Sequence, residues 1–337
     1  MLYNLYKEAG IRTSFLCERE NNMTKIDLIT GFLGAGKTTF LKLYAKYLIE
    51  KGEKICIIEN DFGAINVDMV LLNDIAGDRC NIEMIIGGDG AEAHKRRLKT
   101  KLISMGMAGY DRVIIEPSGI FDPDEFFDTL YEEPLDEWYT IDNVICILDA
   151  YIEDDLSKES RFILMCEAAS AGRIVISKMD KEDSSKKKKI LNLLNDSIKE
   201  FSCNRNIEES DILSKNWNEL NEADFEEINR SGYKKADYIK HQISSGKGYQ
   251  TLFYFDIKLD KEKIKLLIDN IFADPECGRI FRIKGFIDTG EPRKTEINAT
   301  KRKFILGKAD TARAVLIVIG EALNREKLKT YIGEPSI

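Results

Sequence analysis

The chain has 337 residues (38.5 kDa) with 43% hydrophobic and 32% charged residues, the balance of a globular protein with room for two domains rather than one small core. A formal net charge of −8 and a pI near 5.2 argue against a general nucleic-acid or anionic-membrane surface. No apolar run approaches the length of a membrane span.

In chain order, residues 1–22 end in Cys17-Glu-Arg-Glu-Asn-Asn22 and carry neither an uninterrupted signal-peptide core nor a small-residue cleavage site, so they are expected to form a loose tail. A hypothesis is that translation begins at Met23, three residues before the first strand; the intact mass of natively expressed protein decides it, and a full-length species sinks the idea.

The next stretch organises the rest. Ile26, Leu28 and Ile29 predict a short strand, and Phe40, Leu43, Tyr44, Tyr47 and Leu48 predict a helix. Between them Gly31-Phe-Leu-Gly-Ala-Gly-Lys-Thr-Thr39 completes G-x-x-x-x-G-K-[ST], with Gly31, Gly36, Lys37 and Thr38 at the fixed positions and Gly34 and Ala35 inside the loop. Glycines let successive N–H groups converge on one spot, and the helix adds its unsatisfied N-terminal donors. Such a spot takes a phosphate, with Lys37 for the β and γ groups and the Thr38 hydroxyl for Mg²⁺. The alternative is a glycine-rich turn capping an ordinary helix.

Further strands are predicted at Lys54 to Glu59, Asp111 to Ile115, Val144 to Asp149 and Arg173 to Ser177, separated by helical segments. This is the pattern of an α/β fold with a mostly parallel sheet and helices on both faces, the P-loop NTPase class. Ligands in such sheets bind at the carboxyl ends of strands, where Glu59, Glu116, Asp149 and Ser177 to Asp180 fall. Lys186 to Lys189 precedes an apolar periodic stretch and reads as a solvated helix face. The polar stretch 206–248 reads as a connector with short helices; its Ser244-Ser-Gly-Lys-Gly248 lacks the strand and spacing of a phosphate loop and reads as a hinge.

From residue 249 the pattern changes. Phe253, Phe255, Ile257 and Leu259 alternate, Ile264, Leu267, Ile268 and Ile271 recur at helical spacing, Phe281 and Ile283 alternate, and Val315 to Ile319 precede a helix capped by Asn324. A small α+β domain over 249–337 is expected, an antiparallel sheet faced by two helices, beside a P-loop domain over 23–205.

Ser177-Lys-Met-Asp180 follows a strand about 140 residues after the loop, where [N/S/T]-K-x-D in guanine-nucleotide enzymes sets a carboxylate against guanine N1–H and N2–H and a lysine stem over the base. Asp180 would then choose GTP over ATP, since losing a buried partner costs on the order of 1–3 kcal/mol; alone, the tetrapeptide equally reads as a helix cap. In Val113-Ile-Ile-Glu-Pro-Ser-Gly-Ile-Phe-Asp-Pro123, Glu116 suits Mg²⁺ through its water shell and Gly119 a γ-phosphate contact, against a plain strand end and turn. Glu59-Asn-Asp-Phe-Gly63 suits a loop ordered by Mg²⁺ and the γ-phosphate.

Together these motifs, with Asp149-Ala150 and Phe281-Arg-Ile-Lys-Gly-Phe286, resemble those of the CobW-like GTPases, relatives of the urease and hydrogenase nickel-insertion GTPases, over almost the whole chain from Met23. The resemblance implies a Mg²⁺-dependent enzyme hydrolysing GTP to GDP and phosphate, with slow intrinsic turnover. It implies a cytoplasmic protein that couples nucleotide state to delivery of a metal or cofactor to a client enzyme, and admits a nucleotide-dependent homodimer. Lys37, Thr38 and Glu116 would be catalytic, Thr38 and Glu116 would organise Mg²⁺, and Gly31, Gly34, Ala35, Gly36, Thr39, Glu59, Gly119, Ser177, Lys178 and Asp180 would hold the nucleotide.

The chain departs from the family at one place. Relatives carry G-C-x-C-C, whose thiolates bind Zn²⁺ or Co²⁺, whereas this chain reads Glu83-Met-Ile-Ile-Gly-Gly-Asp-Gly-Ala91, with Gly88, Gly90 and Ala91 in place of the cysteines. No thiolate-bound Zn²⁺ or Co²⁺ is expected there. Asp89, Glu92 and His94 could take a harder ion, although helix capping and solvated surface are the expected roles. The seven cysteines are scattered without a C-x-x-C pair and read as reduced thiols filling cores. Two functions therefore stand: a GTP-driven chaperone for cofactor or metalloenzyme assembly that carries no thiolate-bound metal, and a metal-trafficking protein with a non-cysteine site. A kinase for a small acceptor is a third and weaker one.

Overall fold

The computed structural model describes residues 23–61, 72–86, 91–117, 123–153, 155–179, 184–241, 249–309 and 313–333. The first domain runs β1 (Thr24–Thr30), α1 (Lys37–Glu50), β2 (Ile55–Asp61), β3 (Cys80–Ile86), α2 (Ala91–Met107), β4 (Arg112–Pro117), α3 (Pro123–Leu130), α4 (Leu135–Trp138), β5 (Tyr139–Asp149), α5 (Lys158–Ala169), β6 (Arg173–Ser177), α6 (Ser184–Glu200), β7 (Ile212–Ser214) and α7 (Glu222–Ile228). Among the described residues its seven strands form a parallel sheet ordered β3-β2-β4-β1-β5-β6-β7.

The strands are apolar on both faces, which a parallel sheet between two helical layers requires. Ile26, Leu28, Val113, Ile115, Cys146 and Leu148 pack toward α2, α3, α5 and α6; Ile29, Ile55, Ile57, Ile114, Ile145 and Ile147 pack toward α1 and α7. The chain leaves β1 toward β2 on one side and reaches β5 on the other, so the carboxyl end of β1 is the switch point where such sheets bind ligands.

In the first domain two strands depart from the sequence expectation. β3 alternates polar Asn81 and Glu83 with apolar residues, as befits a strand at the sheet edge, and so lacks the continuous apolar run of its neighbours. The stretch expected as a connector with short helices does contain the short helix α7, whose Phe225 and Ile228 complete the core beneath α1, but it also supplies the unexpected edge strand β7. The hinge expected at 244–248 lies outside the described residues.

The second domain comprises β8 (Tyr249–Phe255), α8 (Lys261–Ala273), β9 (Arg279–Ile287), β10 (Lys294–Ala299), β11 (Phe304–Ala309), β12 (Val315–Glu321) and α9 (Arg325–Ile332). Its antiparallel sheet, ordered β11-β10-β9-β12-β8, is covered on one face by α8 and α9. As expected, Asn324 caps α9, its Oδ1 accepting from the Lys327 N–H. The opposite face carries Phe253, Phe286, Val315 and Ile317 and packs on Leu33 of the first domain. Arg279 clamps the two domains, pairing with Glu153 at 2.6 Å and Asp155 at 2.8 Å. Among the described residues no helix is long and apolar enough to cross a membrane.

The candidate nucleotide site

The loop between β1 and α1 is shaped from both sides. Gly31 has φ of 134°, and a Cβ there would lie 2.0 Å from the Ile147 carbonyl oxygen, so the backbone of the loop runs directly against β5. Gly36, at φ 98°, is the N-cap of α1 and provides no side-chain cap. The first N–H groups of α1 therefore open onto the loop, the arrangement that receives an anion.

Lys37 is buried, and its Nζ donates to the Gly31 carbonyl at 2.8 Å, bridging the mouth of the loop. Thr38 Oγ1 donates to Glu116 Oε1 at 3.0 Å, and both side chains are buried. Glu59 is buried too and stands in register with Glu116 on the adjacent strand. A hydroxyl beside carboxylates is a hard-oxygen donor set, which fits Mg²⁺. Thr39 is exposed and lines the same cavity of about 850 Å³, together with Gly34, Gly36, Lys37, Thr38 and Glu116.

The predicted base-recognition segment meets the loop from the side. Ser177 Oγ lies 2.6 Å from the Ala35 carbonyl and 3.1 Å from that of Leu148, tying β6 to the loop. Lys178, at φ 58°, donates to the Gly34 carbonyl at 3.0 Å and to Asp149 Oδ2 at 2.5 Å. The structure thus gathers Gly31, Gly34, Ala35, Gly36, Lys37, Thr38, Thr39, Glu59, Glu116, Ser177 and Lys178 around one loop. Gly119 and Asp180 lie outside the described residues, as do residues 62–63 and 87–90.

His94 differs from its expected surface role. It is 6% exposed on α2, and burial first, then the Arg97 charge, holds its imidazole below the usual pKa. The lysine run is also less solvated than expected: Lys186 lies over the Tyr151 ring at 3.8 Å, and Lys189 reaches the Ile152 carbonyl at 3.4 Å. None of the described cysteines is in a disulfide, and burial pushes Cys56 up to about 12 and Cys80 to about 11.

Sequence reasoning missed three contributors. Trp217, just after β7, packs on Phe40 at 5.7 Å between ring centres and faces Gly36, while Asn216 and Trp217 line the cavity. Arg282, Glu296, Asn298 and Lys303 of the second domain form its opposite wall. Behind the loop, the carboxyl of Glu167 on α5 is fully buried, with the Lys37 ammonium and the Gly31 N–H as its polar neighbours. Burial pushes its pKa from 4.5 up to about 8, with the Lys37 ammonium and the Gly31 N–H pulling the other way.

A carboxyl that keeps its proton in the fold up to about pH 8, but releases it near 4.5 when unfolded, favours folding at low pH. That contribution is lost as pH rises toward 8, with a slope of at most about 1.4 kcal/mol per pH unit. Glu167→Gln should therefore flatten the fall in thermal midpoint between pH 5 and 8 and stabilise the chain at pH 8. Parallel curves for the two proteins would show that Glu167 does not titrate in this way.

Comparison with known proteins matches residues 25–206 to the CobW/HypB/UreG nucleotide-binding domain and residues 250–333 to the cobalamin synthesis protein CobW C-terminal domain. The chain is similar to two Escherichia coli (strain K12) proteins: zinc chaperone YjiA, 32% identical over 47% of this chain and 50% of that protein, and zinc chaperone YeiR, 31% identical over 47% and 48%. The match thus spans about half the length of these curated relatives. Among solved structures, Zn(II)-bound YjiA GTPase from E. coli aligns over 92% of this chain and 98% of that one at 20% identity, with a TM-score of 0.39.

Proposed function

The chain belongs to the CobW/HypB/UreG family, and on that premise we propose that it is a Mg²⁺-dependent GTPase serving as a chaperone for metal or cofactor assembly on a client enzyme. The observation that carries this reading is the uncapped α1 N-terminus opening onto a loop that holds Lys37, beside the buried Thr38–Glu116 pair. Backbone donors of the loop and Lys37 bind the phosphates and stabilise charge on the transferring phosphoryl group. Thr38 and Glu116 hold Mg²⁺, which when bound neutralises phosphate charge. Lys178, fixed by Asp149 and Gly34, offers its stem to the base, and Asp180 selects guanine.

GTP should accordingly bind far more tightly than ATP, and Asp180→Asn should erode the preference by on the order of tenfold or more, the worth of a buried hydrogen-bonding partner. A titration giving equal affinities for GTP and ATP in the wild type refutes the guanine assignment.

The cargo separates two readings. The absence of cysteine from 81 to 145 favours a chaperone that carries no thiolate-bound metal, while the name zinc chaperone, borne by both relatives, favours a metal carrier with oxygen or nitrogen ligands. Metal analysis of purified protein with and without GTP discriminates them: stoichiometric Zn²⁺ or Co²⁺ at micromolar or tighter affinity favours the carrier.

A further inference from the structure

We propose that Arg282 of the C-terminal domain is supplied in cis to the γ-phosphate, so that hydrolysis requires the second sheet as well as the phosphate loop; this rests on the GTPase reading above. Arg282 sits on β9, on the sheet face away from α8 and α9 that also carries Phe286, which joins the apolar cluster against Leu33. It lines the cavity that Lys37, Thr38, Thr39 and Glu116 enter from the other domain. Its Nε donates to Asn298 Oδ1 at 3.2 Å on neighbouring β10, which fixes the plane of the guanidinium.

The wall that holds Arg282 is itself fixed against the loop. Three residues earlier, Arg279 is clamped to Glu153 and Asp155. At the β10–β11 turn, Thr300 Cγ2 would lie 3.3 Å from a Cβ on Gly34. Phe32 of the loop meets Phe281 edge-on at 5.5 Å. The other cations of the cavity are differently placed: Lys178 is engaged by Asp149 and Gly34, Lys37 approaches from the loop side, and Lys303 stands on an exposed turn. Glu296 shares the wall, and a Cβ on Gly307 would come within 2.8 Å of its Oε2, so its carboxylate lies across β11.

In hydrolysis a water oxygen bonds to the γ-phosphorus and the bond to the β–γ bridging oxygen breaks. The electron pair stays on GDP, and the water proton leaves with the inorganic phosphate. Negative charge on the γ-phosphoryl oxygens is then met by Lys37 from one side and by the planar donors of Arg282 from the other. An arginine supplied to such a centre is worth on the order of 10³–10⁵ in rate.

The test compares full-length wild type, Arg282→Ala and Arg282→Lys in single-turnover GTP hydrolysis, GDP affinity, thermal midpoint, and GDP binding with aluminium fluoride, a mimic of the transferring phosphoryl group. Expected is a loss of about 100-fold or more in rate for Arg282→Ala, failure of aluminium fluoride to tighten GDP binding, and a GDP affinity and midpoint close to wild type. Arg282→Lys should recover part of the rate. Wild-type rate and aluminium fluoride response in Arg282→Ala overturn the assignment alone, as does a rate loss matched by lost GDP affinity and a lowered midpoint. A wild type that binds GTP without turning it over overturns the assignment together with the GTPase reading.

Discussion

Gly31→Ala is expected to abolish nucleotide binding and to lower stability by about 3 kcal/mol or more, at or above the top of the usual range for overpacking. The new methyl would stand 2.0 Å from the carbonyl oxygen of Ile147, more than 1 Å inside van der Waals contact. Two escapes are closed. Ile147 belongs to β5, which pairs with β1 on one side and β6 on the other, so its carbonyl cannot retreat without breaking the sheet. The residue itself sits at φ of 134°, a conformation that L side chains rarely adopt, so the loop cannot keep its course even if space is found. Lys37 would lose its carbonyl partner as the loop shifts. Denaturant unfolding and titration with a fluorescent GDP analogue check both halves, and a wild-type midpoint with wild-type affinity would contradict the close approach.

The second large effect lies at the amino ends of the strands. Arg112, at the start of β4, is fully buried and meets Asp27 at 2.6 Å, Asp142 at 2.8 Å and Glu53 at 2.7 Å. Asp27 is equally buried and accepts from the Asn143 backbone N–H and Nδ2, each at 3.0 Å, with the Tyr44 hydroxyl 2.9 Å away. Burial works against the guanidinium charge, but Asp27, with Tyr44 and Glu53, outweighs it and holds the pKa above its ordinary value, so Arg112 stays charged at every working pH. Arg112→Met keeps the volume and strands these carboxylates, a change that costs about 3–5 kcal/mol when a buried pair loses one member. Arg112→Lys keeps the charge without the fork and should fall between. The denaturant midpoint measures it, and Asp27→Asn added to Arg112→Met should return part of the loss. Equal midpoints for wild type and Arg112→Met would mean that the network contributes only geometry.

Much of this architecture is legible in the chain because its determinants are local. The phosphate loop is a contiguous pattern, and β1, β2, β4, β5 and β6 are buried on both faces, so each contains a run of apolar residues. Edge strands carry a weaker mark: β3 alternates and β7 has three residues in a polar stretch. Strand β10, inside the second sheet, is also weakly marked, because it interleaves Thr295, Ile297 and Ala299 with polar residues. What could not be read is the juxtaposition of distant residues. Arg282 and Lys37 share a cavity though they lie in different domains, far apart in the chain. Glu167 reads as one more acidic residue on a helix until its neighbours exclude water from it. Nothing local in the sequence announces that Arg112, at the start of β4, and Asp27, in the middle of β1, neutralise each other.

Leu33 gives the phosphate loop a property that its glycines alone would not. An anion-binding loop made of glycine and small residues is ordinarily free in the absence of ligand and must be immobilised when the phosphate arrives. Here the middle of the loop is packed against Phe253, Phe286 and Val315 of the second sheet. Fixing a residue's backbone costs about 1–2 kcal/mol of conformational entropy, and for this loop that loss is incurred when the two domains assemble rather than when nucleotide binds. Less of the nucleotide's binding free energy is then spent on ordering the loop, and the second domain contributes to affinity by packing on the Leu33 side chain.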